Sequence, residues 1–287
     1  MGQAAVRTAL AELAARFGPL VPLGNGHEAR VFRSGPWVLK VYPPRERQLA
    51  FAEAKNLARA GFGERVREVL VLESGHGVLV LRHFPGLPFA PERFDGRALG
   101  FLSGFVLRLH RLPEPGRVEE APLRERIRRF EEELRFFKPA APVFQAVKER
   151  LFRVVGTPLV FAHRDLWAGN VLLAEDGQVF VVDWGRAGPE DAARDLAILK
   201  TGSLDLLGPE VALAVLARIV RQYPEPARLW ARLGFWIPLT YLHDLYWFRT
   251  KAPEGFEAAV AEKLPTALRL AERFPELWEV SPCGSSA

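Results

Sequence analysis

The chain has 287 residues, of which 49% are hydrophobic, with a formal net charge of +5 and one cysteine. This length is enough to bury a large core, either as one large domain or as two lobes. The single Cys283 excludes an intramolecular disulfide and a cysteine-based zinc site, which favours a cytoplasmic location. Because no apolar run reaches the roughly 20 residues of a membrane span, and no arginine-rich tail or zinc spacing is present, neither a membrane nor a nucleic-acid partner is expected.

The N-terminal part of the chain predicts one helix followed by strands. The stretch MGQAAVRTALAELAARFG carries Glu12 and Arg16 where a signal peptide requires an uninterrupted apolar core, so an amphipathic helix is expected. Strands are then predicted into LGNG, over ARVFRS and over WVLKVY, with a turn at Gly35-Pro36 and a stop at Pro43-Pro44.

Helical spacing in RERQLAFAEAKNLARAGFG predicts one internal helix, and VREVLVLES with HGVLVLRHF predicts a further hairpin around Gly75. After HFPGLPF the pattern turns helical and stays so to the end, apart from one hairpin. We therefore predict an α+β fold with a small β-rich N-terminal lobe over residues 1–84 and a larger, mostly helical C-terminal lobe over residues 85–287.

The interrupting hairpin lies in HRDLWAGNVLLAEDGQVFVVDWG, which starts at His163. Its strands VLL and VFVV are joined by the turn AEDGQ, and they are flanked by Asp165 and Asn170 on one side and by Asp183 on the other. Phosphoryl transfer requires a metal at the phosphates, a cation on them and a base for the attacking hydroxyl. Mg²⁺ prefers oxygen ligands, so Asn170 and Asp183 are candidate metal ligands, and Asp165 is the candidate base.

These residues also carry a family resemblance. The run from His163 to Asn170 resembles the H-R-D-L-x-x-x-N catalytic loop of protein kinases, and Asp183-Trp184-Gly185 resembles D-F-G. Trp167, Gly169 and the later Asp195-Leu196-Ala197 are more similar to the aminoglycoside phosphotransferase and choline kinase family, from about Leu23 to Leu199. In that family a glycine commonly stands where this chain has Arg164. The resemblance implies a bilobal protein-kinase-like fold, with ATP and Mg²⁺ as cofactors.

The first lobe supplies a candidate phosphate-binding cation. Lys40 lies in the apolar strand WVLKVY, where an unpaired ammonium is costly to bury. The resemblance makes Glu53 on the following helix its expected partner, although the spacing also permits Glu46. Gly24, Asn25 and Gly26 occupy the place of the nucleotide-covering loop without completing G-x-G-x-x-G. The resemblance also implies that adenine binds between the lobes, against the backbone of Arg82, His83 and Phe84.

Other residues receive supporting or substrate roles. Relatives imply that His163 and Asp195 hold the catalytic loop rather than take part in the chemistry. Helical spacing predicts core positions for most of the aromatic stretch from Trp230 to Phe248. Within it, a carboxylate among aromatic rings suits an amine, which makes an acceptor pocket a second interpretation for Tyr241, Asp244, Tyr246 and Trp247.

The sequence as a whole predicts an ATP- and Mg²⁺-dependent phosphotransferase acting on a hydroxyl of a small molecule, of the aminoglycoside, amino alcohol or sugar type. Its expected partners are ATP and that acceptor. A protein kinase is the first alternative, but only a short segment separates Asp183 from Asp195 and no A-P-E follows. A catalytically silent nucleotide-binding pseudokinase is the second, and the presence of every catalytic residue type argues against it.

Overall fold

The computed structural model describes residues 3–25 and 29–280. The chain divides into two units, which are Met1–Gly86 together with Phe180–Ala187, and Leu87–Val179 together with Gly188–Ala287. The predicted α+β class is confirmed, because an antiparallel sheet forms the N-terminal region and helices dominate the C-terminal region.

The first unit contains a helix, a five-stranded antiparallel sheet and a second helix. Its elements in chain order are α1 (Gln3–Phe17), β1 (Val21–Asn25), β2 (Arg30–Ser34), β3 (Trp37–Tyr42), α2 (Gln48–Arg59), β4 (Val66–Val71) and β5 (Gly77–Arg82). The strand order is β1-β2-β3-β5-β4. A two-residue turn joins β2 to β3, since Ser34 pairs with Trp37, and Gly35 there has a positive φ of 55°. The core of this unit forms where α1 packs on the sheet, with Leu13, Leu39 and Val80 buried together.

Helix α2 carries an unusual residue on its buried face. Ala50, Glu53 and Leu57 are its buried positions, which is the three-to-four-residue spacing of a helix stripe that faces a core. Two of the three are apolar and the third is a carboxylate. The fold therefore places an ionisable group where an apolar side chain is the ordinary occupant.

The second unit is mostly helical. Its helices are α3 (Gly96–Leu109), α4 (Glu120–Glu133), α5 (Ala141–Arg150), α6 (Ala192–Gly202), α7 (Pro209–Val220), α8 (Pro226–Lys251) and α9 (Phe256–Glu272). Two of them begin at aspartate caps: Asp95 accepts from the amides of Arg97 and Ala98, and Asp191 accepts from the amide of Ala193.

Short strands accompany these helices, namely β6 (Leu87–Pro88), β7 (Pro113–Arg117), β8 (Pro158–Ala162), β9 (Val171–Leu173) and β11 (Gly188–Glu190). A further short strand, β10 (Val179–Val181), begins in this unit and continues into the segment Phe180–Ala187 of the first unit. The turn predicted between VLL and VFVV is present, because the Ala174 amide donates to the Gln178 carbonyl at 2.9 Å and the Gly177 amide to the Ala174 carbonyl at 3.0 Å. The sheet β11-β8-β7 was not predicted. Its outer strands read PEPGR and GPE, and proline and glycine are depleted in strands, so pairing with PLVFA creates them.

The division into units differs from the predicted lobes in one respect. The predicted boundary after residue 84 lies close to the observed one after Gly86, but Phe180–Ala187 belongs to the first unit. This segment packs there through the ring of Phe180, whose centroid lies 4.9 Å from that of Phe62. Among the described residues no helix is both long and apolar enough to cross a membrane.

Candidate active site

Within the first unit, Lys40 is held by two carboxylates. Its Nζ donates to both carboxylate oxygens of Glu53 at 2.8 and 2.7 Å and to Asp183 Oδ1 at 2.9 Å. The partner of Lys40 is therefore Glu53 and not Glu46. Burial alone lowers the pKa of an ammonium, but the attraction of Glu53 and then of Asp183 outweighs it, so the pKa of Lys40 is raised. The ammonium stays charged at neutral pH.

Glu53 is almost fully buried, at 1% exposure, and its carboxylate has donors besides Lys40. The Tyr42 hydroxyl donates to Oε2, and the Trp184 amide donates to Oε1 at 3.2 Å. Asn56, one turn further along α2, donates from its side chain to the carbonyls of Trp184 at 2.8 Å and Ala187 at 3.3 Å. Helix α2 thus positions both the lysine and the Asp183-Trp184-Gly185 segment.

Asp183 has a backbone conformation that few residues adopt. Its φ of 69° lies in the left-handed region, where only one other described non-glycine residue is found. The side chain is 47% exposed, and its Oδ1 accepts a hydrogen bond from Lys40 Nζ. An exposed carboxylate oxygen is the ligand type that Mg²⁺ prefers.

In the second unit, Asp165 and Asn170 contact each other. Asn170 Nδ2 donates to Asp165 Oδ2 at 2.8 Å and to the Asp165 carbonyl at 3.0 Å. Because the amide nitrogen is committed to Asp165, the amide oxygen of Asn170 is the atom left to act as a ligand. An amide oxygen is a ligand type that suits a hard cation such as Mg²⁺.

Asp195 on α6 anchors the segment that carries Asp165. Its Oδ2 accepts from the His163 amide at 2.9 Å and from His110 Nε2 at 3.1 Å, and its Oδ1 accepts from the Arg164 amide at 2.6 Å. Burial would raise the pKa of this carboxyl, but the hydrogen bond and charge of His110, with His163 beside it, lower it. Asp195 is thus ionised and fixes the backbone directly before Asp165.

The described part of the chain includes two of the three residues predicted to cover the nucleotide. Gly24 and Asn25 end β1, paired with Val31 and Arg30, whereas Gly26 lies outside the described residues. Of the predicted adenine-binding stretch, Arg82 ends β5, Phe84 is buried against the ring of Phe180, and the His83 amide donates to the Pro36 carbonyl at 2.8 Å. The roles of these residues in nucleotide binding stay predictions.

The four candidate acceptor residues on α8 lie in different surroundings. Tyr241 is 1% exposed, and its hydroxyl donates to Asp205 Oδ2 at 2.5 Å and also contacts Lys200. Asp244 is ion-paired with Lys263 at 3.2 Å. Tyr246 packs on Phe130, with ring centroids 4.7 Å apart, and Trp247 is exposed on the surface. Tyr241 and Asp244 thus contact charged residues, whereas Tyr246 contacts an aromatic ring and Trp247 is exposed to solvent.

Comparison with known proteins identifies the family. A family model described as "Phosphotransferase enzyme family" matches residues 19–236, which is most of the chain. The chain belongs to the phosphotransferase enzyme family. No curated protein sequence gives a significant match. The predictions of a phosphotransferase, and of a family that includes aminoglycoside phosphotransferases and choline kinases, are confirmed.

Solved structures similar to this phosphotransferase share its fold at low sequence identity. A choline/ethanolamine kinase family protein from Mesorhizobium loti is 22% identical, with a TM-score of 0.63 over 93% of this chain and 99% of that one. The macrolide 2'-phosphotransferase MphH from Brachybacterium faecium is 23% identical, with a TM-score of 0.57 over 90% and 97%. The amicoumacin kinase hAmiN, solved with AMP-PNP, Ca²⁺ and Ami, is 13% identical, with a TM-score of 0.64 over 96% and 97%.

Sequence reasoning missed two sets of polar residues in this phosphotransferase. The sequence assigns no role to His110, but the residue is buried between Asp195 and the Tyr223 hydroxyl, the latter at 2.7 Å from Nδ1. His110 follows the buried Val106 on α3 by four residues, and this spacing indicates that it lies on the same, buried face of the helix. The second set surrounds Glu190. The spacing of four residues between Glu190 and Arg194 is local, but Arg126 and Arg164 lie far from both in sequence, and no spacing indicates their place in the set.

Proposed function

We propose that this chain is an ATP- and Mg²⁺-dependent phosphotransferase that moves the γ-phosphoryl group to a hydroxyl of a small molecule. The acceptor class is of the aminoglycoside, amino alcohol (such as choline) or sugar type. The observation that carries the proposal is the Lys40 ammonium, held charged and fixed by Glu53 and Asp183. The likeness to a kinase solved with the ATP analogue AMP-PNP supports ATP as the donor.

In this proposal the first unit binds the nucleotide. Lys40 contacts the α- and β-phosphates, and Glu53 keeps it in place. Gly24, Asn25 and Gly26 cover the phosphates, because glycines allow the backbone to approach closely. The backbone of Arg82, His83 and Phe84 contacts the adenine; since the His83 amide is engaged with Pro36, other backbone groups of this stretch would bind the base.

Asn170 and Asp183 are the proposed metal ligands. The availability of oxygen atoms on both side chains supports this assignment, and the Asn170 amide is oriented by its bonds to Asp165. When bound, Mg²⁺ neutralises charge on the phosphate oxygens and so lowers the barrier to transfer.

Asp165 is the proposed base. Its carboxylate orients the acceptor hydroxyl and accepts the hydroxyl proton as the oxygen forms its bond to the γ-phosphorus. The bond from the γ-phosphorus to the β,γ-bridging oxygen breaks in the same transfer, and ADP leaves. Asn170 steadies this carboxylate from the side, and Asp195 fixes the backbone before it through His163 and Arg164. Neither His163 nor Asp195 is placed in contact with the reacting atoms.

The test is an ATP-consumption screen over aminoglycosides, amino alcohols, sugars and ketosamines, with Asp165→Asn as the comparison. Loss of a general base lowers turnover by about 10²–10⁴-fold. Because the Asn side chain keeps an acceptor oxygen for Asn170, folding and ATP affinity should stay near those of the parent protein. Asp176→Asn, in the exposed turn before Gln178, is the matched control and should retain full turnover.

The outcomes separate the alternatives. A stable Asp165→Asn protein with parental turnover would overturn the role of Asp165. If Asp165 only caps a turn, the variant should instead lose stability and keep its turnover per folded molecule. Transfer to a peptide alone would favour a protein kinase, and ATP binding without transfer to any acceptor would favour a pseudokinase.

A further inference from the structure

Three arginines in the second unit surround one carboxylate. Arg194 Nη1 forms an ion pair with Glu190 Oε2, and Arg164 Nε lies 3.9 Å from the same oxygen. Arg126, on the half-buried side of α4, interacts electrostatically with Glu190 and with both other arginines. We name Arg126, Arg164 and Arg194 the arginine cluster.

The positive charge of the arginine cluster exceeds what its surroundings neutralise. The second oxygen of Glu190 accepts from the Asp191 amide at 3.1 Å, and Asp191 itself is ion-paired with Arg232 at 3.2 Å. Arg126 forms no hydrogen bond or ion pair with any residue in the described part of the chain. Burial, followed by repulsion from Arg194, lowers the pKa of Arg126 to about 10, and the attraction of Glu190 does not compensate. The single negative charge of Glu190 is therefore shared by three guanidinium groups.

Arg164 adopts a strained backbone conformation. Its φ of 71° lies in the left-handed region. Glycine adopts this conformation without steric cost, whereas arginine adopts it only at a steric cost. The side chain extends over β11, where a Cβ on Gly188 would lie 3.7 Å from Arg164 Nη1. The arginine therefore stands at this position at a steric cost that its contacts have to offset.

The arginine cluster adjoins the proposed base. Arg164 directly precedes Asp165, and the Arg164 amide is fixed by Asp195, whose other oxygen fixes His163. The Arg164 side chain is 39% exposed, so a ligand in solvent has access to it. A group bound by this guanidinium is therefore held close to the catalytic loop.

We propose that the arginine cluster binds an anionic group, a carboxylate or a phosphate ester, on the acceptor whose hydroxyl is phosphorylated. Guanidinium groups recognise both anions through paired charge-assisted hydrogen bonds. This inference rests on the proposed function and selects, from its amino alcohol and sugar types, the acceptors that also carry a carboxylate or a phosphate ester. It excludes the aminoglycoside type and choline from the acceptors of the proposed function. Acceptors that carry only positive charge are disfavoured by the same arginines.

The first experiment compares matched acceptors that differ by one anionic group, among them ethanolamine with serine and glucose with glucose 6-phosphate. We expect kcat/KM at least 10-fold higher for the anionic member. Arg126→Gln and Arg164→Gly should each raise the KM for that acceptor about 10- to 100-fold, with the KM for ATP unchanged. Arg164→Gly also relieves the backbone strain, so loss of folding does not obscure the result. Arg128→Gln, on the exposed side of α4, is the control and should change neither constant.

The second experiment needs no turnover and uses inorganic phosphate as the probe, measured by calorimetry without nucleotide. Arg126→Gln and Arg164→Gly should each weaken phosphate binding at least 10-fold, and Arg128→Gln should not. Lys40→Met is measured as well, because Lys40 is itself a candidate phosphate-binding residue. No binding, or binding lost only in Lys40→Met, would overturn the site. Phosphate binding at the cluster combined with a preference for neutral acceptors would assign it to a free anion and overturn the acceptor proposal. If the site binds phosphate but no acceptor is turned over, the proposed function fails while the anion site stands.

Discussion

Lys40 is a buried cation whose charge is retained by its neighbours. Its side chain is only 12% exposed, and an isolated ammonium there would lose its proton more readily than in water. Glu53 and Asp183 reverse that tendency and raise its pKa. A raised pKa means that the stabilising contribution is complete below the unfolded value of 10.5 and is lost as the pH rises through the folded value. The Lys40 side chain is therefore protonated throughout the neutral pH range.

Lys40 and Glu53 should act as one unit in turnover. Lys40→Met and Glu53→Gln are each expected to lower kcat/KM by about 10- to 100-fold, because each removes a charge-assisted contact that positions the phosphates. The double variant should be little worse than the poorer single variant, since either change already disrupts the pair. Steady-state kinetics of the four proteins measures this. Lys55→Met, on the exposed side of α2, is the control. Losses that multiply in the double variant would show that the two residues contribute independently.

The sequence predicted individual site residues where they lie close together along the chain. Asp165 and Asn170 are five residues apart, so a single motif contains both, although the hydrogen bond between their side chains was not predicted. The Lys40–Glu53 contact was predicted only as one of two possibilities, because Glu46 has an equally allowed spacing. The arginine cluster draws on α4, the catalytic loop and α6, and such separations leave no pattern in the sequence.

At the scale of elements, some strands form because of local propensity and others only because they pair with a segment that is distant in sequence. WVLKVY was predicted as a strand and is β3, because its β-branched and aromatic residues favour extended structure. PEPGR has no such preference and becomes β7 only through its pairing with β8. Periodicity therefore predicted the helices and the main sheet, but not the small sheet β11-β8-β7.

Asp195 links two of these elements, since it lies on α6 and binds the backbone that follows β8. Asp195→Asn should lower the free energy of unfolding by about 1–3 kcal/mol, because an amide NH₂ would face an N–H donor on one side. Turnover should fall as well, since His163 and Arg164 would lose a fixed acceptor. Urea unfolding at pH 7 measures the first effect, with the exposed Asp176→Asn as the control.

The difference in unfolding free energy between the parent protein and Asp195→Asn should depend on pH. The pKa of Asp195 is lowered in the folded state, so its stabilising contribution is present above the unfolded value of 3.8. It is lost as the pH falls through the lower folded value. The difference in stability between the parent protein and Asp195→Asn should therefore shrink in strong acid. A difference that stays constant down to pH 2 would contradict the assignment of an ionised Asp195.

At the scale of the whole molecule, the two units do not follow a single division of the sequence. Phe180–Ala187 belongs to the unit formed by the first 86 residues, although more than ninety residues intervene. Asp183 is consequently held by the unit that contains Lys40, through contacts of α2 with the backbone around Trp184. The candidate phosphate-binding cation and one candidate metal ligand are thus fixed by a single set of contacts.

Ligand binding should raise the melting temperature of this molecule in a metal-dependent way. A ligand that binds only the folded state stabilises it by RT ln(1 + [L]/Kd), so ATP with Mg²⁺ should increase the melting temperature more than ATP alone. Asp183→Ala should remove most of the Mg²⁺-dependent part of this increase in melting temperature, because it deletes a proposed ligand oxygen.

A second variant is needed because alanine at a φ of 69° is itself strained. Asp183→Asn provides it, since asparagine tolerates the left-handed region. Asp183→Asn should keep the fold and lose a smaller part of the Mg²⁺-dependent shift, because it keeps a ligand oxygen but removes the negative charge. Calorimetric scans at matched ATP concentration measure both variants. A Mg²⁺-dependent shift of parental size in both variants would exclude Asp183 as a metal ligand.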